Sequence, residues 1–149
     1  MKGWSGRLTV VALLWLLGSP LHAQQAGAPV PLDVFVAQLS RLWARGEAER
    51  LAEMTGPDGR VMLDLGANRG GVQERHFAAA LRSLFNERES MGVRPHRAVI
   101  SGGSPPRGFV ELAWSSRARG TRAARTSTVY VGAVLHGGEW RISELRLLP

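Results

Sequence analysis

Asp64 is the side chain of this sequence best suited to proton transfer. It lies in the run Arg60-Val61-Met62-Leu63-Asp64-Leu65, whose alternation of apolar and polar residues makes a short strand. A carboxylate enclosed by such a strand is desolvated, and its pKa rises toward the range a general base needs. Asp64 has the parity opposite to Val61, Leu63 and Leu65, so a solvent-facing carboxylate fits the same pattern. His76 with Glu74, near the start of a helical segment, offers acid-base or metal chemistry. Zinc-binding helices, however, present two His four residues apart or a comparable cluster. His76, His96 and His136 have no such spacing, and no metal is assigned. Asn68-Arg69-Gly70-Gly71 has the composition of an anion-binding helix start, where free N–H groups and the helix dipole favour negative charge. It contains no phosphate-loop or dinucleotide signature, so a plain Gly-rich loop is the simpler reading, and no cofactor is expected.

The segment Ser115 to Ser127 holds Arg117, Arg119, Arg122 and Arg125 and no acidic residue. At the tip of a hairpin these guanidinium groups would project together and grip phosphates or other anions in bidentate fashion. Nucleic acid is a poor partner for them, because single-strand readers interleave aromatic side chains with the basic ones and none lies between Trp114 and Tyr130. A separate set, Phe35, Trp43, Phe77, Trp114, Tyr130 and Trp140, falls at structural periodicity on helices and strands. Such a set either fills a core or lines an apolar pocket.

These residues belong to a chain of 149 residues with 44% hydrophobic and 21% charged content, the composition of a globular protein. Lys2 and Arg7, the apolar run Leu8 to Leu17, the break at Gly18-Ser19-Pro20 and then Leu21-His22-Ala23 follow the order of a secretory signal cleaved after residue 23. The run is too short to span a bilayer. Residues 24–31 read as a polar linker, and 32–149 suffice for one domain but not two. The absence of Cys excludes a lipid anchor on cysteine and makes the fold independent of the redox state of its compartment. The net charge of +7 rests on 19 basic residues, all but Lys2 being Arg, and favours anionic partners without naming one.

The hydrophobic periods then place the elements. Leu32, Phe35, Val36, Leu39, Leu42 and Trp43 share one stripe of a helix ending at Gly46. A short helix spans Glu47 to Glu53, and a turn at Gly56 to Gly59 leads into the strand that carries Asp64. Ala67 to Gly71 reads as a loop, and Val72 to Arg88 as a long helix with Phe77, Leu81, Leu84 and Phe85 along one side. Four strands follow, Pro95 to Ser101, Phe109 to Arg117, Thr126 to His136 and Glu139 to Leu148, with Gly137-Gly138 as a tight hairpin. A bulge near Ser143 or Glu144 keeps Trp140, Ile142, Leu145 and Leu147 on one face. The order describes an α+β fold, with N-terminal helices packed on a curved, mainly antiparallel sheet.

Particular residues sharpen this. Arg45-Gly46-Glu47-Ala48 with Leu51, then Val61 to Gly66, then Phe77 with Leu84-Phe85, and last Trp140-Arg141-Ile142 with Leu145-Arg146-Leu147 resemble the nuclear-transport-factor-2-like superfamily. The likeness covers the chain from about Phe35 to Leu147, and within that superfamily the chain is similar to a bacterial family of small exported domains of unknown function. The resemblance implies a cone-shaped fold with a pocket between the helices and the concave sheet. Isomerases of the superfamily pair a carboxylate base with an oxyanion hole built from a Tyr and a protonated Asp, and its dehydratases bring His and Asp together. Here the only Tyr is Tyr130, in a late strand, and the His residues are scattered.

The expected function is that of an exported, non-enzymatic binding or interaction module of the cell envelope, periplasmic or secreted. A small apolar molecule or a protein is its partner, a homodimer forms through the open sheet face, and no segment stays in the membrane after signal cleavage. Two other readings stay open. One is a cofactor-independent lyase or isomerase with Asp64 as base and Tyr130 or His96 as polar partner. The other is polyanion binding through the Arg117 to Arg125 hairpin.

Overall fold

The apolar stripe from Leu32 to Trp43 becomes the buried side of helix α1 (Leu32–Arg45) in a computed structural model that describes residues 28–149. The expected signal, 1–23, and the linker as far as residue 27 lie outside the described residues. Gly46 ends α1 in the left-handed conformation (φ 68°), and its N–H closes onto the Leu42 and Trp43 carbonyls. A Cβ at Gly46 would also sit 3.3 Å from the Phe85 ring, so both backbone and packing require glycine there. Helix α2 (Ala48–Ala52) buries Ala48, Leu51 and Ala52.

Strand β1 (Arg60–Asp64) alternates as its sequence implies, with Val61 and Leu63 buried and Met62 exposed. The Gly-rich loop expected over 67–71 is shorter than its composition suggests. Arg69–Gln73 forms strand β2, antiparallel to β1, with Val72 opposite Val61 and Gly70 opposite Leu63. Two adjacent glycines leave no side-chain alternation to read, and glycine is depleted in strands. Helix α3 (Glu74–Glu87) therefore starts after Val72 and buries Phe77, Ala78, Leu81, Leu84 and Phe85.

The chain passes from α3 directly into β3 (Arg88–Ser101). Arg88 is thus the first residue of a strand, not the last of a helix, and β3 begins well before Pro95. Register shifts between Ser90 and Gly92 and between Pro95 and Arg97 break the period of two, which hides this strand from the sequence pattern. Strands β4 (Arg107–Ala118), β5 (Ala124–His136) and β6 (Glu139–Leu148) complete a six-stranded sheet in the order β2-β1-β6-β5-β4-β3. Only β1 and β6 run parallel among the described strands. Gly137 and Gly138, both at positive φ (58° and 82°), make the two-residue turn between β5 and β6. Opposite Gly132 stands Glu144, but opposite Ala133 stands Ile142. Ser143 is the extra residue, and the bulge lets Trp140, Ile142 and Leu145 all be buried.

The architecture is the expected one, an α+β fold with helices on a curled, mainly antiparallel sheet. Its core meets in an aromatic cluster in which α1, α3 and β4 each supply one ring. Trp43 stands edge-to-face on Phe85 (centroids 5.2 Å apart) and on Trp114 (5.5 Å), and Phe85 and Trp114 complete the triangle at 6.3 Å. At the β5–β6 turn the Val30 N–H donates to the Gly138 carbonyl (2.8 Å) and the Trp140 indole donates to the Val30 carbonyl (2.9 Å). The end of the expected linker is therefore strapped to the sheet.

Removing one ring of the cluster opens a void that the other two cannot fill. Trp43→Ala is expected to cost about 3–5 kcal/mol in urea denaturation, whereas Val99→Ala, at an exposed site, should stay within about 1 kcal/mol.

Candidate functional site

Alternation along β4 and β5 decides which side chains face the helices. On β4 the inward positions are Val110, Leu112, Trp114 and Ser116, and on β5, read backward, Val131, Val129 and Ser127. Trp114 lies opposite Ser127 in the ladder, and Ser116 opposite Arg125. The concave face therefore changes at Trp114 from apolar to polar. Past Trp114, Ser116 and Ser127 belong to the lining of an open cavity of about 890 Å³, within the size range of small-molecule sites. Leu65, Leu147 and Ala123 give it apolar walls, and Arg88, Ser116 and Ser127 form its polar end.

The polar end is held by specific contacts. Arg88 lies over the Trp114 ring, its guanidinium carbon 4.7 Å from the centroid, and donates a long hydrogen bond (3.5 Å) to the Ser127 hydroxyl. The Trp114 indole N–H donates to the Ser90 hydroxyl (3.1 Å), which fixes the buried ring beneath Arg88. Ser116 is fully buried, and its hydroxyl has no hydrogen-bond partner among the described residues. A buried hydroxyl without a partner is costly. Here it stands in the wall of an open cavity.

The residues singled out from the sequence distribute differently. Phe35, Trp43, Phe77, Trp114 and Trp140 are all buried in the core, and Trp114 is the one of them that neighbours the cavity, through Ser127 opposite it in the ladder. Tyr130 lies away from this cavity and lines another of about 260 Å³ with Arg97, Val99, Phe109 and Glu111. Its parity on β5 puts it on the outer face, stacked on Phe109 with centroids 6.1 Å apart. Burial there, with help from Glu144 and Glu111, pushes its phenol up.

Asp64 also faces outward, on the side of Met62. Its carboxylate accepts the Gly66 N–H (3.2 Å) and pairs with Arg69 (3.1 Å). The Gly66 bond above all, with Arg69 and Arg146, holds its carboxyl below the ordinary 3.8 against the opposing effect of burial. A general base needs the opposite shift. His76, His96 and His136 are all exposed. Among the described residues no group of three His, Cys, Asp or Glu side chains could hold a metal.

The arginines of the β4–β5 hairpin do not act together either. Arg117 pairs with Glu89 on the neighbouring strand (2.7 Å). Arg119 donates to the Asn86 and Phe85 carbonyls at the end of α3 (2.7 and 3.3 Å), which caps a helix whose last turn carries no basic residue of its own. Arg122 is exposed in the connection, and Arg125 reaches the cavity rim. Arg88, Ser116 and Ser127 were not singled out by their types. The inward run of Val110, Leu112 and Trp114 ending on Ser116 is the signal that would have found the boundary.

No family model matches the chain, and no curated protein does. Solved structures show the same fold. A DUF4783 family protein from Bacteroides ovatus superposes with a TM-score of 0.60 at 16% identity, over 81% of this chain and 96% of that one. ActVI-ORFA from Streptomyces coelicolor gives 0.59 at 11% identity, over 78% and 92%. A designed nuclear-transport-factor-2 protein gives 0.55 at 15% identity, over 78% and 95%. The chain has the nuclear-transport-factor-2-like fold, as its resemblance implies, and at these identities the likeness extends to fold alone.

A carboxyl whose pKa is lowered in the folded state stabilises above its unfolded pKa and loses that contribution as pH falls through the folded value. Asp64→Asn should therefore lower the urea midpoint at pH 7, and the difference should shrink as pH falls past the ordinary 3.8 and vanish only below the lowered folded value. A gain in stability at pH 7 would instead mark a desolvated base. Arg119→Ala should cost about 1 kcal/mol through the lost helix cap, and Arg122→Ala less than about 0.5 kcal/mol, in the same assay.

Proposed function

We propose that this chain is an exported, non-enzymatic binding module of the cell envelope whose small ligand enters the mouth of the cone. The observation that carries the reading is the cavity beyond Trp114, with apolar walls, a few converging polar groups and a size suited to a small molecule. Two further features support binding over catalysis. The cavity's polar end is a guanidinium and hydroxyls, its acidic side chain Glu87 is exposed at the end of α3, and the carboxylate suggested as a base lies on the opposite face, ion-paired with arginine. Export is supported by the charged, apolar and small-residue order of residues 1–23. Among the described residues no helix is long and apolar enough to cross a membrane.

Binding is tested with N-phenylnaphthylamine, a neutral fluorophore that brightens in apolar surroundings. The wild-type protein should bind it saturably. Ala123→Trp, which places an indole in the mouth without touching the core, should weaken binding at least about tenfold with the fold unchanged by circular dichroism. Saturable binding that Ala123→Trp leaves intact would put the ligand elsewhere.

A further inference from the structure

We infer that the ligand of the cone mouth is an amphiphile with a carboxylate headgroup, its head at Arg88 and Ser116 and its apolar body along Leu65 and Leu147; this rests on the mouth being the ligand site. Three observations converge on the head. Three arginines among the described residues are half-buried, and while Arg117 and Arg141 each have a carboxylate partner, Arg88 has none. One guanidinium nitrogen touches Ser127 while the face rests on Trp114, which fixes the planar fork and leaves its remaining N–H groups free to meet two oxygens side by side. The Ser116 hydroxyl, fully buried and without a partner, supplies a donor already removed from water.

A carboxylate satisfies this set. It accepts the fork and the hydroxyl together, and it gives the buried Ser116 hydroxyl a partner that no described residue supplies. An alcohol of the same chain length offers one oxygen and no charge. Glu87, also at the cavity, does not neutralise the head. It is exposed at the end of α3, where its carboxylate accepts the Ser83 hydroxyl. Arg125, opposite Ser116 in the ladder, adds positive charge at the rim, so both cationic side chains of the site lie at its sheet side. Leu65, just past the end of β1, and Leu147 of the neighbouring β6 make the apolar wall that takes the body of the ligand.

Displacement of N-phenylnaphthylamine by octanoate and by octan-1-ol tests the inference. Octanoate should displace the probe at least about tenfold more effectively than octanol. Arg88→Gln should remove that preference. Ser116→Ala should weaken octanoate several-fold, leave octanol unchanged and leave the melting temperature equal or higher, since it deletes an unsatisfied hydroxyl and not a packing group. Should Arg88→Gln perturb the fold through its lost contact with Trp114, Ser116→Ala still decides the matter. Equal displacement by acid and alcohol, or a Ser116→Ala effect of the same size on both, would overturn the carboxylate assignment while leaving the mouth as the ligand site. Failure of the probe itself to bind would overturn the reading on which it rests.

Discussion

The position of Trp114 in the cone decides what the rest of the molecule can do. Its ring is held on every side, edge-to-face against Trp43 and Phe85, by an indole hydrogen bond to Ser90, and under the Arg88 guanidinium. Edge-to-face aromatic pairs add about 0.5–1.5 kcal/mol each to the burial of their area, so this junction is rigid and ties α1, α3, β3 and β4 together. Along β4 and β5 it also divides two regions. On one side the inward residues Val110, Leu112, Val129 and Val131 are apolar and packed, and on the other the same strands present Ser116, Ser127 and Arg125.

Much of this was legible in the sequence because it follows from period. The stripe on α1, the alternation of β1, β4 and β5, the two-glycine turn and the bulge at Ser143 each leave a direct trace in residue order. What escaped has physical causes. Strand β2 is built on Gly70 and Gly71, which carry no side-chain pattern, and the first half of β3 is irregular through its bulges. The mouth escaped for another reason. The serines and arginines between Ser115 and Ser127 were grouped by charge, whereas strand parity divides them, sending Ser116, Arg125 and Ser127 inward and Arg117 outward.

Parity likewise separates the two carboxylate chemistries that the sequence leaves open. Asp64 is on the outer face, where neighbouring arginines and a backbone N–H favour its ionised form. On the inner face the relation is inverted, because there the groups held in place are a cation and a hydroxyl, Arg88 and Ser116. A surface so arranged suits recognition of a carboxylate more than supply of one. The abundance of arginine, which reads as a single basic patch in one dimension, is spent in the fold on pairing with Glu89, on capping α3 and on the cavity, three unrelated tasks.

Chemical-shift perturbation of backbone amides on titration with octanoate tests the central claim most directly, since it reports position as well as binding. The account predicts shifts concentrated at Arg88, Ser116, Arg125, Ser127 and Leu147, around the ring of Trp114, with Asp64 and Tyr130 on the outer face unmoved. Shifts centred on the outer face, or on the surface between α2 and α3, would contradict it.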